Sequence, residues 1–154
     1  MKKLYISCPM KGRTEENIRK SIEKMHRIAE IVFDQELEVI PSYIEHKPPQ
    51  DTNQAMWYLG ESIKLMAQAD YYIGIDYSDF FHGCAVENEI AARYGIQRTS
   101  VHVHELMPDV RDVEKTYWRN VEANEKRYHR PVISFLYAYR NYEKIGRKRT
   151  NTVQ

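Results

Sequence analysis

The chain has 154 residues and a formal net charge of +1 at pH 7, with 42% hydrophobic and 29% charged residues. This length suits one globular domain with an ordinary core, and the near-neutral charge excludes a global field that would draw the chain to nucleic acid or to a membrane. The two cysteines, Cys8 and Cys84, are too few for a disulfide framework and indicate free thiols in a cytoplasmic protein.

The first third of the chain alternates strand and helix patterns. Residues 3–7 (KLYIS) predict a first strand, which a proline and a glycine end. A helix is predicted from Thr14, which can cap it, because apolar residues then recur at helical spacing as far as Phe33. Residues 37–40 (LEVI) predict a second strand, and the polar, proline-containing run after it predicts a loop.

The alternation continues through the middle of the chain. Residues 70–75 (DYYIGI) predict a third strand, residues 83–95 a third helix that ends at Gly95, and residues 99–106 (TSVHVHEL) a fourth strand. The second helix, before the third strand, is predicted by apolar residues that share one face, namely Ala55, Leu59, Ile63 and Met66.

The C-terminal part has a different pattern. Residues 110–128 are charged and helical in spacing, whereas 131–142 (PVISFLYAYRNY) are apolar and suit either a helix or a strand. Strands that alternate with helices predict an α/β fold with a doubly wound, mainly parallel, Rossmann-like sheet and helices on both faces. We therefore expect a single domain over 1–154, with a C-terminal extension from about residue 106.

Ligands bind such folds beyond the carboxyl ends of the strands, and Glu87 lies near that edge. The face of the third helix that should meet the sheet is formed by Glu87, Ile90, Ala91 and Tyr94, whereas Asn88 and Glu89 are expected to point elsewhere. A bare buried carboxylate is costly, and the helix dipole favours its ionised form. Glu87 is therefore either a nucleophile or base at a cleft, or an acid that only complements the dipole.

Two further segments at this edge carry candidate residues. The turn SCPMKGR can face an anion with its backbone N–H groups and with Lys11 or Arg13, or it is simply a tight turn with solvated charges. Before the third helix, Asp76, Asp79 and His82 can either donate a proton to a leaving group or cap the helix.

Other binding functions have weaker signals. His102 and His104 can share a metal only with a third ligand such as His46 or His129, so no metal is predicted. The basic C-terminal tail (GRKRTNTVQ) has no matching nucleic-acid fold signature, so nucleic acid is not predicted as a partner. The first apolar run is too short for a signal peptide, and no run approaches the roughly 18 apolar residues of a membrane span.

Two blocks of the chain resemble the nucleoside 2-deoxyribosyltransferase-like superfamily, and in particular a small phage and bacterial branch of it. The blocks are LYISCPMKG and LMAQADYYIGIDYSDFFHGCAVENEIAARYGI, within about residues 3–100. Members of that branch open with a strand and Ser-Gly-Pro-Met-x-Gly, and later carry Leu-Met-x-x-Ala-Asp, a strand and Gly-Cys-x-x-Glu. The resemblance implies cleavage or transfer at the N-glycosidic bond of a nucleoside or nucleoside 5′-monophosphate, a homodimer or larger homo-oligomer, and no cofactor.

The resemblance also implies roles for individual residues. Glu87 matches the nucleophile that forms a glycosyl-enzyme intermediate, and Tyr5 matches a tyrosine that hydrogen-bonds to it. Two aspartates of the transferases are replaced, one by Ser62 and one by Phe81, so that Asp79 or His82 would have to act in place of the second. The residues predicted to bind substrate, including the 5′-phosphate turn, are Ser7, Cys8, Pro9, Met10, Lys11, Gly12, Ser62 and Gly83.

Two interpretations remain open beside this one. One is a non-catalytic nucleotide-binding module that keeps the pocket and has lost the acid. The other is a phage accessory protein that associates with DNA or RNA through the basic tail. Subunit contact is expected through residues 131–142, because this segment is too apolar for a solvated tail.

Overall fold

A computed structural model describes residues 1–76 and 81–107, together with Lys115, Arg119 and Glu122, which are helical and exposed. The chain divides into two units, Met1–Val110 and Arg111–Gln154. All the elements below belong to the first unit. Asp79 and residues 131–142 lie outside the described residues, so the predictions made for them, and that of a single domain, remain predictions.

Strands and helices alternate along the described part of the first unit. The strands are β1 (Lys2–Ile6), β2 (Leu37–Val39), β3 (Tyr71–Ile75) and β4 (Gln97–Val101). The helices are α1 (Glu15–Phe33), α2 (Gln54–Met66), α3 (His82–Arg93) and α4 (Val103–Leu106). The predicted elements agree closely with these bounds up to β4.

The strands form one parallel sheet in the order β2-β1-β3-β4. Right-handed crossovers place α1 on one face and α2 and α3 on the other. Accordingly, Phe33 of α1 contacts Tyr71 (ring centroids 4.4 Å apart), while Met66 of α2 and Ala91 of α3 share a buried cluster with Tyr72. The predicted doubly wound α/β fold is confirmed.

Strand alternation assigns each β1 side chain to one of these faces. Tyr5 is the register partner of Tyr72, so both rings lie on the α2/α3 face and stack with centroids 6.0 Å apart. Leu4 and Ile73 point to the α1 face, where both are fully buried. Ser7 follows β1 two residues after Tyr5, which directs its side chain toward α3 as well.

Local signals explain the bounds of α1. The Thr14 side chain accepts a hydrogen bond from the Asn17 backbone N–H at 3.2 Å, as an N-cap does. Met25 and Ala29, one turn apart, are fully buried. The helix ends where Asp34 adopts a left-handed conformation with φ of 52°.

The predicted fourth strand is wrong beyond Val101. The side chain of His102 accepts a hydrogen bond from the His104 backbone N–H at 3.3 Å and caps the short helix α4. This local bond competes with the strand ladder, so the two histidines do not lie on one strand face, although their rings stack. Among the described residues, no group of three His, Cys, Asp or Glu side chains could hold a metal ion.

The predicted inner face of α3 is wrong at its last residue, Tyr94. Tyr94 is 81% exposed, because α3 ends at Arg93 and the chain turns away before Tyr94 can pack on the sheet. Gly95 then adopts a φ of +69°, in agreement with its predicted role in ending the helix.

Among the helices that the structure describes, none combines the length and the apolarity needed to cross a bilayer.

Gly74 is the one glycine of β3, and it has no room for a side chain. A Cβ there would overlap Asn88 Oδ1 and come within 2.9 Å of the Tyr72 ring and hydroxyl. We therefore expect Gly74→Ala to lower the free energy of unfolding by about 1–3 kcal/mol, as overpacking does. Urea denaturation measures this loss.

Gly60→Ala is the matched control, since a Cβ at this position in α2 meets nothing within 4 Å. It should raise stability by about 0.5–1 kcal/mol through helix propensity. Equal effects of the two substitutions would contradict the close packing at Gly74.

Candidate active site

Glu87 lies buried between α3 and the sheet, as its position in the helix predicts. It is 8% exposed, and the Tyr5 hydroxyl donates a hydrogen bond of 2.7 Å to its Oε2. The two residues are far apart in sequence, on α3 and β1. The bond therefore joins the helix to the centre of the sheet, and it brings together the two residues that carry the principal predicted roles.

The protonation of Glu87 is set by two opposing influences. Burial raises its pKa from 4.5 to about 7, although hydrogen bonds from Tyr5 and Ser7 act to lower it. Burial, and then the nearby Glu87 charge, also raises the pKa of Tyr5 well above its usual value, so Tyr5 remains a protonated donor. Near neutral pH, Glu87 therefore exists both as a carboxylate and as an acid.

A second buried tyrosine lies beside Tyr5 and ties α3 to β3. The Tyr72 hydroxyl donates to Asn88 Oδ1, and Asn88 Nδ2 donates to the Ile75 carbonyl at 3.1 Å. Asn88 is therefore half-buried against the sheet, and the prediction that it points elsewhere is wrong. The absent side chain of Gly74 leaves the space that Asn88 occupies.

Ser7 and Cys84 complete the buried surroundings of Glu87, and Cys8 lies beside Cys84. Ser7 is 1% exposed, and its hydroxyl lies close enough to Glu87, Tyr72 and Cys84 to influence the pKa of each. Burial raises the pKa of Cys84 to about 12 and also raises that of Cys8. Both thiols are free and stay protonated, so neither is an activated nucleophile.

The turn after β1 is held by Arg13, which points inward. The Arg13 guanidinium donates to the Pro9 carbonyl at 2.8 Å and to the Ser21 hydroxyl at 2.6 Å. These bonds engage its donors in the fold, so of the two predicted cations only Lys11 is available to a ligand. Lys11 is exposed beside Gly12, whose φ of +75° permits the sharp turn.

The other predicted turn residues differ in access. Cys8 and Pro9 are buried, whereas Met10 is 44% exposed. In this structure a ligand at the turn can therefore meet the Met10 and Lys11 side chains and backbone groups, but not the Cys8 or Pro9 side chains.

The remaining predicted residues lie on α2, at the start of α3 and directly after β3. Ser62 of α2 reaches the Tyr5 hydroxyl closely enough to lower its pKa, so it belongs to the same cluster. His82 and Gly83, in the first turn of α3, are exposed. Phe81, which the resemblance matches to an aspartate, is buried and supplies no side-chain cap to the helix. Asp76, at the end of β3, accepts a hydrogen bond from Ser100 at 2.8 Å.

The cluster lies at the topological switch point of the sheet. β1 and β3 are neighbours, but α1 follows β1 on one face and α3 follows the β3 strand on the other. A crevice opens at this place in doubly wound sheets, and their ligands bind there. Sequence reasoning missed Tyr72 and Asn88, although the period of two in YYIGI puts Tyr72 and Gly74 on one face.

Comparison of the chain with protein-family models, with curated proteins and with solved structures gives no match. What the chain does is therefore argued from its own residues.

The raised pKa of Glu87 predicts a specific pH dependence of stability. Because the folded state holds the Glu87 proton more tightly than the unfolded state, its contribution is most favourable below about pH 4.5 and is lost as the pH rises through about 7. Relative to Glu87→Gln, the wild type should lose about 3 kcal/mol of unfolding free energy between these values.

Chemical denaturation of both proteins from pH 4.5 to 8 measures this difference. Glu89→Gln is the control, because Glu89 is exposed on the same helix and pairs with Arg93. A constant difference between wild type and Glu87→Gln across the range would show that burial does not raise the pKa of Glu87.

Proposed function

We propose that this protein is an N-glycosidase or deoxyribosyltransferase of the nucleoside 2-deoxyribosyltransferase-like superfamily, which acts on a nucleoside or nucleoside 5′-monophosphate. The observation that carries the proposal is the buried 2.7 Å hydrogen bond from Tyr5 to Glu87 at the switch point of the sheet. Burying a carboxylate in such a place costs free energy because the group loses its hydration. A cost of this kind at a ligand-binding edge supports a functional role for the group.

In the proposed reaction the ionised Glu87 attacks the anomeric carbon. The bond from Tyr5 engages Oε2, so Oε1 forms the new C–O bond while the C–N bond to the base breaks and its electron pair leaves with the base. The departing base takes up a proton from a nearby acid or from water. Water, or a second base, then attacks the same carbon, so that Glu87 leaves as a carboxylate and the sugar is released or transferred.

The protein's contribution to this chemistry is positioning in a partly dry site. Tyr5 is fixed by its stacking on Tyr72, whose hydroxyl is itself fixed by Asn88. Glu87 is therefore presented by two elements at once, the β1 strand and α3. A desolvated carboxylate is a stronger nucleophile than a hydrated one, at the expense of the fraction that is ionised at neutral pH.

The acid that would protonate the departing base is less well defined than the nucleophile. His82 is at the first residue of α3, and Asp79 lies outside the described residues. Phe81 is buried and cannot provide an acid. We therefore propose His82 or Asp79 for this role.

We also propose that the protein is a homo-oligomer in the cytoplasm. Residues 131–142 would contribute to subunit contact, because this segment is apolar.

One observation favours a second candidate function, a nucleotide-binding module without turnover. Glu87 is only 8% exposed, so a substrate reaches it only if the neighbouring residues yield. Such a module would use the turn at Lys11 and Gly12 for a phosphate and the crevice for the nucleoside.

The nucleophile prediction is tested by base release. Wild-type protein is incubated with a panel of nucleosides and 5′-monophosphates, and the free base is measured by chromatography. Glu87→Ala should abolish release, because no neighbour supplies the covalent step. Glu87→Gln should abolish it too, but should still bind substrate because the side chain keeps its shape.

Glu89→Ala is the internal control for this assay. Glu89 lies on the exposed side of α3 and pairs only with Arg93 at 2.5 Å among the described residues, so turnover should be nearly unchanged. Wild-type turnover in Glu87→Gln would contradict the nucleophile assignment. Tight binding without any cleavage by the wild type would replace the enzyme with the binding module.

The phosphate prediction concerns Lys11. Lys11→Ala should weaken binding of a 5′-monophosphate by about 10- to 100-fold and leave its nucleoside nearly unaffected, because one charge-assisted contact is lost. Titration calorimetry measures both ligands. Lys2→Ala is the matched control, since Lys2 is an exposed lysine at the opposite end of β1, paired with Asp70. Equal weakening of nucleotide and nucleoside by Lys11→Ala would remove Lys11 from the phosphate site.

A further inference from the structure

The Tyr72 hydroxyl donates its proton to Asn88 and not to Glu87. Asn88 Nδ2 donates to the Ile75 carbonyl, which orients the amide so that Oδ1 faces Tyr72 and accepts its proton. The Tyr72 oxygen therefore offers only lone pairs to its other neighbours. It can accept a hydrogen bond in the site, but it cannot donate one to the Glu87 carboxylate.

The Ser7 hydroxyl is close to both residues. It is buried, and among the described residues it has no hydrogen bond of good geometry. Nevertheless it lies near enough to Glu87 and Tyr72 to influence the pKa of each. A buried hydroxyl without a settled partner is unfavourable, and such a group calls for an explanation.

The explanation lies in the two states of Glu87. An ionised carboxylate needs donors, and Tyr5 provides one. A protonated carboxyl needs an acceptor for its own proton. A serine hydroxyl can meet both needs, because it has one O–H donor and two acceptor lone pairs and rotates freely.

We propose that Ser7 is a positioning residue for Glu87: its hydroxyl donates to the ionised carboxylate, and it turns to donate to the Tyr72 oxygen when Glu87 is protonated. In the second state the carboxyl proton is donated to Ser7 Oγ, so every polar group keeps a partner. Catalytic consequences of this exchange rest on the proposed function, whereas the exchange itself does not.

The other titratable groups around Glu87 stay neutral while it titrates. They are Tyr5 on β1, Tyr72 on β3, Cys84 on α3 and Cys8 in the turn after β1, and burial raises the pKa of each. From β4, the Arg98 charge acts on Tyr72, and α2 places Ser62 near Tyr5. Within this set, a titration between pH 5 and 9 therefore reports on Glu87.

The test follows the Glu87 titration by carbon NMR of protein labelled at the glutamate carboxyl carbons, with the signal assigned by its loss in Glu87→Gln. Ser7→Ala should raise the pKa of Glu87 by about one unit, because the hydrogen bond lost from the ionised carboxylate is stronger than the one lost from the neutral acid. The ionised fraction at pH 7 then falls from about a half to about a tenth. Ser7→Thr keeps the hydroxyl and should restore a value near that of the wild type.

Tyr72→Phe should shift the pKa of Glu87 in the opposite direction. This test remains available even if Ser7→Ala does not fold. It removes the acceptor used in the protonated state, so the pKa of Glu87 should fall. Thr52→Ala is the control, because it deletes an exposed hydroxyl that bonds only to the Pro49 carbonyl among the described residues. An unchanged or lowered pKa in Ser7→Ala, or an unchanged or raised one in Tyr72→Phe, would overturn the proposal.

Activity adds a readout that separates the two proposals. If a nucleoside is cleaved, the acid limb of kcat/KM should move with the NMR titration in each variant. If the wild type cleaves nothing, the proposed function fails, while the NMR titrations still decide the role of Ser7.

Discussion

The burial of one carboxylate between the sheet and α3 is the constraint on which the rest of the site depends. Glu87 cannot be hydrated there, so the fold has to supply its partners: Tyr5 donates to it, and Ser7 lies within reach. Its pKa of about 7 shows that these partners compensate for only part of the lost hydration. A site of this kind lowers stability at neutral pH, and selection retains such costs where the group has a function.

The packing of β1 and β3 explains how this constraint is met. Tyr5 and Tyr72 are register partners on parallel strands, so their rings lie side by side and their hydroxyls emerge together beneath α3. Tyr5 meets Glu87, and one residue further along α3 Tyr72 meets Asn88. Gly74 completes the arrangement, because any side chain there would displace Asn88. Two helix residues and two strand residues are therefore fixed by one another.

Sequence patterns were sufficient for most of the elements and for the buried position of Glu87. Apolar periodicity located α1 and α3, and helical spacing put Glu87 on the buried face, because both patterns depend on burial of one side of an element. The same reasoning failed at Tyr94, which lies beyond the last turn of its helix, and at His102, whose side chain caps a helix instead of continuing a strand. These two failures fall at element ends, where a local hydrogen bond or a single turn outweighs the pattern. A third, at Asn88, falls within α3, where the space left by Gly74 admits a polar side chain against the sheet.

What the sequence by itself determined is the alternation of strands and helices, and with it the doubly wound parallel sheet and the edge at which a ligand should bind. These follow from composition and period, which are properties of neighbours along the chain. Apart from Tyr5, whose bond to Glu87 the resemblance implies, only the tertiary structure decided which residues surround Glu87 and which cation stays available. Strand register brings Tyr72 beside Tyr5, and the absent side chain of Gly74 leaves space for Asn88. Arg13 forms its hydrogen bonds within the fold, so Lys11 is the available cation. Such choices depend on contacts between residues far apart in sequence, and no local pattern encodes them.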